Sequence, residues 1–239
     1  MSSKQVNCEE CYLSTLCLPL GLNPDEFKLL DNIVARHPRL KRGETLFNQG
    51  KPFQSLYALR SGSVKSITTS TDGNENIIGF HFAGELLGFD GINKKAYLCE
   101  TQALETTHLC EIPFSKLQQL TAQIPSLQSH LFCLMSQEIS SNDGLYFLMR
   151  KKSAEEKIAS FIYILSLRFE RFCFAPTEFK LTMSRRDIAN YLGLAVETVS
   201  RLFSRLQQQK ILRVASKQVN ILDIEQLKGA AGDLPNEYK

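Results

Sequence analysis

The chain has 239 residues, of which 43% are hydrophobic and 22% are charged, and its formal net charge is +3. This composition is typical of a globular protein and argues against a disordered or fibrous chain. No run approaches the roughly 20 apolar residues of a membrane span, and the N-terminus lacks the apolar core of a secretory signal. We therefore expect a cytoplasmic protein with no membrane partner.

Three cysteines stand close together near the N-terminus, at Cys8, Cys11 and Cys17, and a fourth follows far downstream at Cys110. In a reducing compartment, seven cysteines in all indicate free thiols or metal ligands rather than a disulfide framework. Four thiolates serve equally in an iron–sulfur cluster and in a structural zinc site, and the C-x2-C-x5-C spacing does not decide between them. Residues 1–20 are thus a candidate metal-binding segment.

The other cysteines and the histidines carry little functional signal. Cys99, Cys133 and Cys173 have no partner spacing, and we expect them to be small buried apolar residues. The scattered histidines form no acid–base or nucleophile arrangement, so we do not expect an enzyme. His108 precedes Cys110 by two residues and is a weaker candidate ligand.

Residues 21–122 predict an antiparallel β-roll. A helix from about Asp25 to Arg36 comes first, and short strands separated by glycines follow as far as about Ile112. The segment 71–74, Thr-Asp-Gly-Asn, predicts a hairpin turn because Asp-Gly tolerates positive φ.

Residues 123–150 predict a long helix that begins near Pro125 and carries two apolar stripes. The first stripe has the alternating three- and four-residue spacing of a coiled coil. Its members are Phe132, Met135, Ile139, Asn142, Tyr146 and Met149. The second stripe consists of Leu127, Leu131, Leu134, Leu145 and Leu148. One stripe can pack on the β-roll while the other forms the seam of a homodimer; the alternative is that both are buried within one chain.

Residues 151–239 predict a winged helix-turn-helix domain and carry 15 Lys and Arg against 10 Asp and Glu. A helix over residues 154–172 comes first. Ser184 then predicts an N-cap with Asp187 in the capping-box position, and Gly193 falls at the turn between two helices. Two strands around residues 215–218 predict the wing, and we expect frayed chain from Lys228.

The second helix of this motif predicts a DNA-reading surface. Its buried face comprises Val196, Val199, Phe203 and Leu206. Glu197, Ser200 and Arg201 share the opposite face, where arginine can bind guanine and glutamate can accept from the paired cytosine. An ordinary exposed Glu–Arg pair is the alternative. The basic residues expected to contact the DNA backbone are Arg185, Arg186, Arg205 and Lys217.

Several motifs together resemble those of one family. They are Cys8-Glu9-Glu10-Cys11 with Leu16-Cys17-Leu18-Pro19, Leu104-Glu105-Thr106, Cys110-Glu111-Ile112-Pro113-Phe114, and the block 181–202 with Tyr191-Leu192-Gly193-Leu194 and Val196-Glu197-Thr198-Val199-Ser200-Arg201. Over essentially its full length, the chain resembles the fumarate and nitrate reduction regulator (FNR) family of the cyclic-AMP receptor protein superfamily. The resemblance implies an α+β protein, in which an N-terminal antiparallel β-roll is joined by a long dimerisation helix to a winged helix-turn-helix domain.

The resemblance also implies a mechanism. Cys8, Cys11, Cys17 and Cys110 would hold an oxygen-labile [4Fe-4S] cluster that permits homodimerisation. The dimer would then bind a palindrome like TTGAT-N4-ATCAA in double-stranded DNA, with Glu197, Ser200 and Arg201 contacting the bases. RNA polymerase is an implied partner, through residues 71–76 and 169–174.

Two departures from the family pattern stand out. Asn142 occupies a seam position that is often acidic in relatives, so oxygen control of dimerisation is expected to be weaker. Tyr12 is bulkier than the small residues often found beside the second cysteine, and its ring could shield or perturb the cluster.

A cyclic-nucleotide sensor of the same fold would need an arginine followed by serine or threonine, which the segment 94–101 lacks. We therefore expect no cyclic nucleotide, and a zinc-stapled DNA-binding protein remains the second alternative.

Overall fold

A computed structural model describes residue 8, residues 10–14 and residues 17–234, but not the side chains of residues 141–151. The described residues divide into two compact units, with the boundary between Gln137 and Glu138. The elements in chain order are α1 (Pro24–Ile33), β1 (Ala35–Arg36), β2 (Thr45–Phe47), β3 (Ser55–Ser61), β4 (Ser63–Thr69), β5 (Glu75–Phe82), β6 (Leu86–Leu87), α2 (Gly91–Lys94), β7 (Glu100–Ala103), β8 (His108–Pro113), α3 (Phe114–Thr121), α4 (Pro125–Lys151), α5 (Ala154–Arg171), β9 (Glu178–Lys180), α6 (Arg185–Leu192), α7 (Val196–Gln208), β10 (Leu212–Ala215), β11 (Gln218–Ile221) and α8 (Ile224–Ala231).

The first unit contains two four-stranded antiparallel sheets, with strand orders β1-β8-β3-β6 and β2-β7-β4-β5. The expected β-roll is therefore present. Gly62 joins β3 to β4 with φ +88°, and a Cβ at this position would lie 2.6 Å from the Thr106 carbonyl oxygen. Only glycine fits both requirements.

The helix before the roll is shorter than expected. Asn23 caps α1 through a capping box with Glu26, and the helix ends at Ile33 because Val34 is extended. The expectation that helix continues to Arg36 is wrong: Ala35 and Arg36 form β1, paired with Glu111 and Cys110 of β8. Backbone pairing to the sheet edge replaces the last helical turn at this point.

The second unit is the winged helix-turn-helix. Helices α6 and α7 follow α5, and β9, β10 and β11 form a three-stranded antiparallel sheet that includes the wing. The expectation of frayed chain from Lys228 is wrong, since α8 continues to Ala231 and buries Leu227 and Ala231. The Ser160 hydroxyl donates to the Ala231 carbonyl at 3.1 Å, which fastens this last helix to α5.

Candidate cysteine site and nucleic-acid interface

Four cysteines line a single cavity in the first unit: Cys8, Cys11, Cys17 and Cys110. Cys110 lies on β8 between Arg36 of β1 and Ala58 of β3, so it is fixed by strand pairing on both sides. The other three come from the N-terminal segment. The fold thus brings Cys110 together with cysteines that are 93 to 102 positions away in the sequence.

The N-terminal segment is held by its own backbone and by the roll. The Cys11 amide donates to the Cys8 carbonyl at 3.2 Å, and the Cys17 amide donates to the Leu13 carbonyl at 2.9 Å. The Cys8 amide donates to Asp31 of α1 at 2.9 Å. These hydrogen bonds fix the described parts of the cysteine loop, which are residue 8, residues 10–14 and residues 17–20, beside the cavity.

Burial raises the pKa of Cys17 to about 12 and that of Cys110 to about 11. Burial also raises the pKa of Cys8, and the neighbouring Asp31 carboxylate acts in the same direction. Cys110 and Cys11 also raise the pKa of Cys17, and Cys11 raises that of Cys110, because thiolates in a desolvated site repel one another. Four thiolates can coexist in this cavity only if a cationic group compensates their charge, which is the chemistry of a thiolate-ligated metal centre.

The described part of the chain contains no group of three or more His, Cys, Asp or Glu side chains arranged to hold a metal ion. The four cysteines nevertheless surround one cavity whose walls are otherwise mainly apolar. Zinc would require its sulfur ligands about 2.3 Å from a single point. The same four thiolates are also the ligand set of an iron–sulfur cluster.

The remaining cysteines divide by exposure. Cys99 is buried as expected, but Cys133 and Cys173 are exposed, so the expectation that they are buried is wrong. Cys133 lies on the outer surface of α4, and Cys173 follows α5 with a positive φ of 57°. The apolar residues next to Cys133 and Cys173 in the sequence gave no indication that these two cysteines are exposed. His108 is exposed on β8 and does not line the cysteine cavity.

The two apolar stripes of α4 have different environments in the first unit. Leu127 and Leu131 are buried in the same apolar cluster as Cys8 and Cys110. Phe132, in the seam stripe, is 59% exposed, and Met135 packs only partly against the cluster. Further along the helix, Ile139 is 64% exposed. The side chains of the other seam residues, Asn142, Tyr146 and Met149, lie outside the described residues.

Helices α6 and α7 are arranged as the sequence predicts. Ser184 caps α6 in a capping box with Asp187, and Gly193 ends it in the left-handed conformation with φ 63°. On α7, Val199, Phe203 and Leu206 are buried.

Val196 was expected on that buried face but is 38% exposed. It is the first residue of α7, one turn before the first buried residue of that face.

The three predicted base-reading residues are all exposed on α7: Glu197, Ser200 and Arg201. Glu197 lies in the first turn of the helix, where a carboxylate is favoured by the helix dipole. The Ser200 hydroxyl donates to the Val196 carbonyl at 3.0 Å, which leaves its oxygen able to accept. One face of α7 therefore presents an acceptor, a hydroxyl and a guanidinium together.

Arg185 and Arg186, at the start of α6, have different environments. Arg186 is exposed. Arg185 lies over the ring of Phe203, with its guanidinium carbon 3.2 Å from the ring centre. Burial lowers the pKa of Arg185 to about 10, so it remains a cation at neutral pH. Arg185 therefore contributes to the packing of α6 against α7 through this cation–π contact.

Arg205 and Lys217 also have partners within the protein. Arg205 forms an ion pair of 3.0 Å with Glu155 of α5. Lys217, at the wing turn, donates to the Thr182 carbonyl at 3.0 Å. Both side chains hold elements of the DNA-binding unit in place.

The interior of the roll near residues 94–101 is filled by protein side chains. Tyr97 stacks on Phe47 with ring centres 3.9 Å apart, and its hydroxyl donates to the Ser55 carbonyl at 2.8 Å. Cys99 is buried in the same cluster. The segment in which a cyclic-nucleotide sensor would need its arginine thus contributes to the core.

Comparison with known proteins agrees with this geometry. Residues 38–123 match the cyclic nucleotide-binding domain, and residues 181–212 match the crp family of bacterial regulatory proteins. The transcriptional activator protein Anr of Pseudomonas protegens is 47% identical over 228 residues, which cover 95% of this chain and 93% of that protein. The fumarate and nitrate reduction regulatory protein of Escherichia coli is 46% identical over 231 residues, or 97% of this chain and 92% of that protein.

The chain belongs to the FNR family of Crp-type regulators. It is a DNA-binding transcription regulator and not an enzyme. The structure of FixK2 from Bradyrhizobium japonicum shares the fold, with a TM-score of 0.76 and 24% identity over 85% of this chain and all of that one. Among the described residues, no helix is both long and apolar enough to span a membrane.

Sequence reasoning missed several contacts of the cysteine loop in this FNR-family protein. Asp31 binds the Cys8 amide. The Tyr12 hydroxyl donates to the Arg60 carbonyl on β3. His130 of α4 contacts the Cys17 carbonyl. No local pattern could have revealed these contacts, because the partners are 23, 48 and 113 residues apart.

Proposed function

We propose that this FNR-family chain is an oxygen-responsive global transcription regulator of anaerobic metabolism, acting in the cytoplasm. The observation that carries the proposal is the convergence of Cys8, Cys11, Cys17 and Cys110 on one cavity. A [4Fe-4S] cluster fits this donor set and, when bound, would supply a group that oxygen destroys. The resemblance to the family supports the same four ligands.

The cysteines would connect two parts of the first unit. Cys8, Cys11 and Cys17 lie in the cysteine loop, whereas Cys110 lies on the last strand of the roll. A cationic centre bound to all four would fix the loop to the roll and would keep the buried thiols ionised. When the centre is lost, burial returns Cys17 and Cys110 to neutral thiols and removes the link between loop and strand.

A second copy of the chain would cover the seam stripe of α4. Phe132 and Ile139 are large apolar side chains that are 59% and 64% exposed, on a coiled-coil spacing. Exposure of these two residues favours a homodimer over burial of both stripes within one chain. Asn142 at the same seam lacks the self-repulsion of a carboxylate, and we expect weaker oxygen control of dimerisation for that reason.

The dimer would read a TTGAT-N4-ATCAA-like palindrome in double-stranded DNA. Arg201 can donate two hydrogen bonds to guanine, and Glu197 can accept from the paired cytosine. Ser200 can contact a neighbouring base. Arg186 is exposed and suited to contact a phosphate. The other three basic residues would contact phosphates while also holding partners within the protein: Phe203 for Arg185, Glu155 for Arg205 and the Thr182 carbonyl for Lys217. RNA polymerase is the partner expected from the family.

The alternatives are a zinc-stapled regulator and a cyclic-nucleotide-type regulator. The resemblance to the FNR family favours a cluster over zinc, and the packing of Tyr97 inside the roll disfavours a nucleotide.

DNA binding of anaerobic protein before and after exposure to air tests the proposal. We expect wild-type protein to bind the palindrome anaerobically and to lose binding in air. Cys17→Ser should bind in neither condition, whereas Cys133→Ser, which changes an exposed cysteine outside the cavity, should behave as wild type. Binding by Cys17→Ser at the wild-type level would contradict the proposal.

A further inference from the structure

One hydrogen bond connects the cysteine loop directly to the helix that carries the seam. His130, on α4, places its Nε2 atom 3.0 Å from the carbonyl oxygen of Cys17. The two other side-chain contacts of the loop described above end on α1 and β3, at Asp31 and at the Arg60 carbonyl. Of these three side-chain hydrogen bonds, the one from His130 reaches the dimerisation helix.

The chemistry of this contact fixes its direction. A carbonyl oxygen only accepts, so the ring nitrogen that faces Cys17 carries the hydrogen and donates it. The Leu20 amide donates to the same carbonyl at 3.2 Å. The carbonyl group of Cys17 thus accepts one hydrogen bond from its own loop and one from α4.

His130 shares a helical turn with Phe132, the first seam residue, but lies on the opposite face of α4, because two residues correspond to about 200° of rotation around the helix axis. Leu127 and Leu131, on the same turn of helix, are buried in the apolar cluster that includes Cys8 and Cys110. Phe132 follows two residues after His130 and is 59% exposed. A displacement of the Cys17 backbone therefore acts on the helical turn that presents the first seam residue.

We propose that His130 is a positioning residue that transmits the state of the cysteine site to the dimer seam. This inference rests on the proposed function. When Cys17 is held as a ligand, its carbonyl is fixed and orients His130, which sets the position of Phe132. When Cys17 is released, the carbonyl moves and the turn loses that restraint. The coupling between the cysteine site and the seam is the difference in dimer affinity between the cluster-loaded and the cluster-free protein.

The test is the ratio of dimer association constants in cluster-loaded and cluster-free protein, measured anaerobically by sedimentation. The variants are His130→Ala, which removes the donor, and His130→Gln, whose amide can still donate. Ser129→Ala is the matched control, because Ser129 is the exposed neighbour on the same helix. Iron and sulfide analysis of each loaded sample shows that the variants are compared at equal cluster content.

We expect His130→Ala to carry the cluster and to lower the ratio by about 3- to 10-fold, which is the range for one hydrogen bond. His130→Gln should restore most of the ratio, and Ser129→Ala should leave it unchanged. A wild-type ratio above one that stays the same in His130→Ala would overturn this inference alone. A wild-type ratio of one would overturn the proposed function and this inference together. Failure of His130→Ala to hold the cluster would also overturn it, because the residue would then serve assembly of the site.

Discussion

Replacing Ile139 by glutamate is the sharpest probe of the seam. The Ile139 side chain is 64% exposed in the single chain, so we expect the substitution to leave the folded chain intact. Full burial of an isoleucine side chain stabilises by about 1.5–3 kcal/mol, and the exposed fraction therefore corresponds to about 1–2 kcal/mol per chain. A two-fold dimer would bury the Ile139 side chains of both chains, so together they would contribute about 2–4 kcal/mol to the free energy of dimerisation.

This free energy corresponds to a dimer association constant about 30- to 700-fold lower in Ile139→Glu, since each 1.4 kcal/mol is a factor of ten. Two facing carboxylates would weaken association further. Anaerobic sedimentation over a concentration series measures the constant, and iron analysis shows that the cluster is retained.

Gln137→Glu is the matched control, because it adds the same charge at an exposed position of the same helix away from the seam stripe. We expect this variant to dimerise within a few-fold of wild type. A cluster-loaded Ile139→Glu protein that dimerises as tightly as Gln137→Glu would refute the seam assignment.

Three further predictions follow from the described residues. Arg201→Ala should weaken DNA binding by about 1–3 kcal/mol per half-site and relax discrimination at the G·C pair. Arg186→Ala should instead weaken binding to all DNA sequences alike and reduce the salt dependence of binding. DNA titrations over variant half-sites at several salt concentrations distinguish the two outcomes. Gly193→Ala should lower the free energy of unfolding by about 1–2 kcal/mol, since its φ of 63° is unfavourable for a residue with a Cβ, and denaturant unfolding measures this cost. Burial raises the pKa of Cys99 to about 12, so iodoacetamide at pH 8 should modify exposed Cys133 but not Cys99, which mass spectrometry of the folded protein would show; reaction of Cys99 should increase only as the pH approaches 12 or the chain unfolds.

Local sequence patterns predicted the features that local interactions determine. The capping box of Ser184 with Asp187 and the turn at Gly193 were visible because capping and left-handed turns depend on residues a few positions apart. The roll and the bounds of α4 followed from glycine spacing and from Pro125 in the same way. The family of the protein followed from motifs spread along the whole chain.

Features that depend on distant partners were not predictable. The sequence suggested phosphate contacts for Arg185, but packing placed its guanidinium over Phe203, 18 positions away. Cys133 and Cys173 looked like core residues because their neighbours are apolar, yet neither is buried in the described chain. The contact between His130 and Cys17 spans 113 residues and exists only once the roll and α4 have formed one apolar cluster.

Metal analysis of protein purified without oxygen tests the central claim most directly. The convergence of Cys8, Cys11, Cys17 and Cys110 on one cavity predicts brown protein with about four iron and four sulfide per chain. Stoichiometric zinc without iron or sulfide would contradict the account.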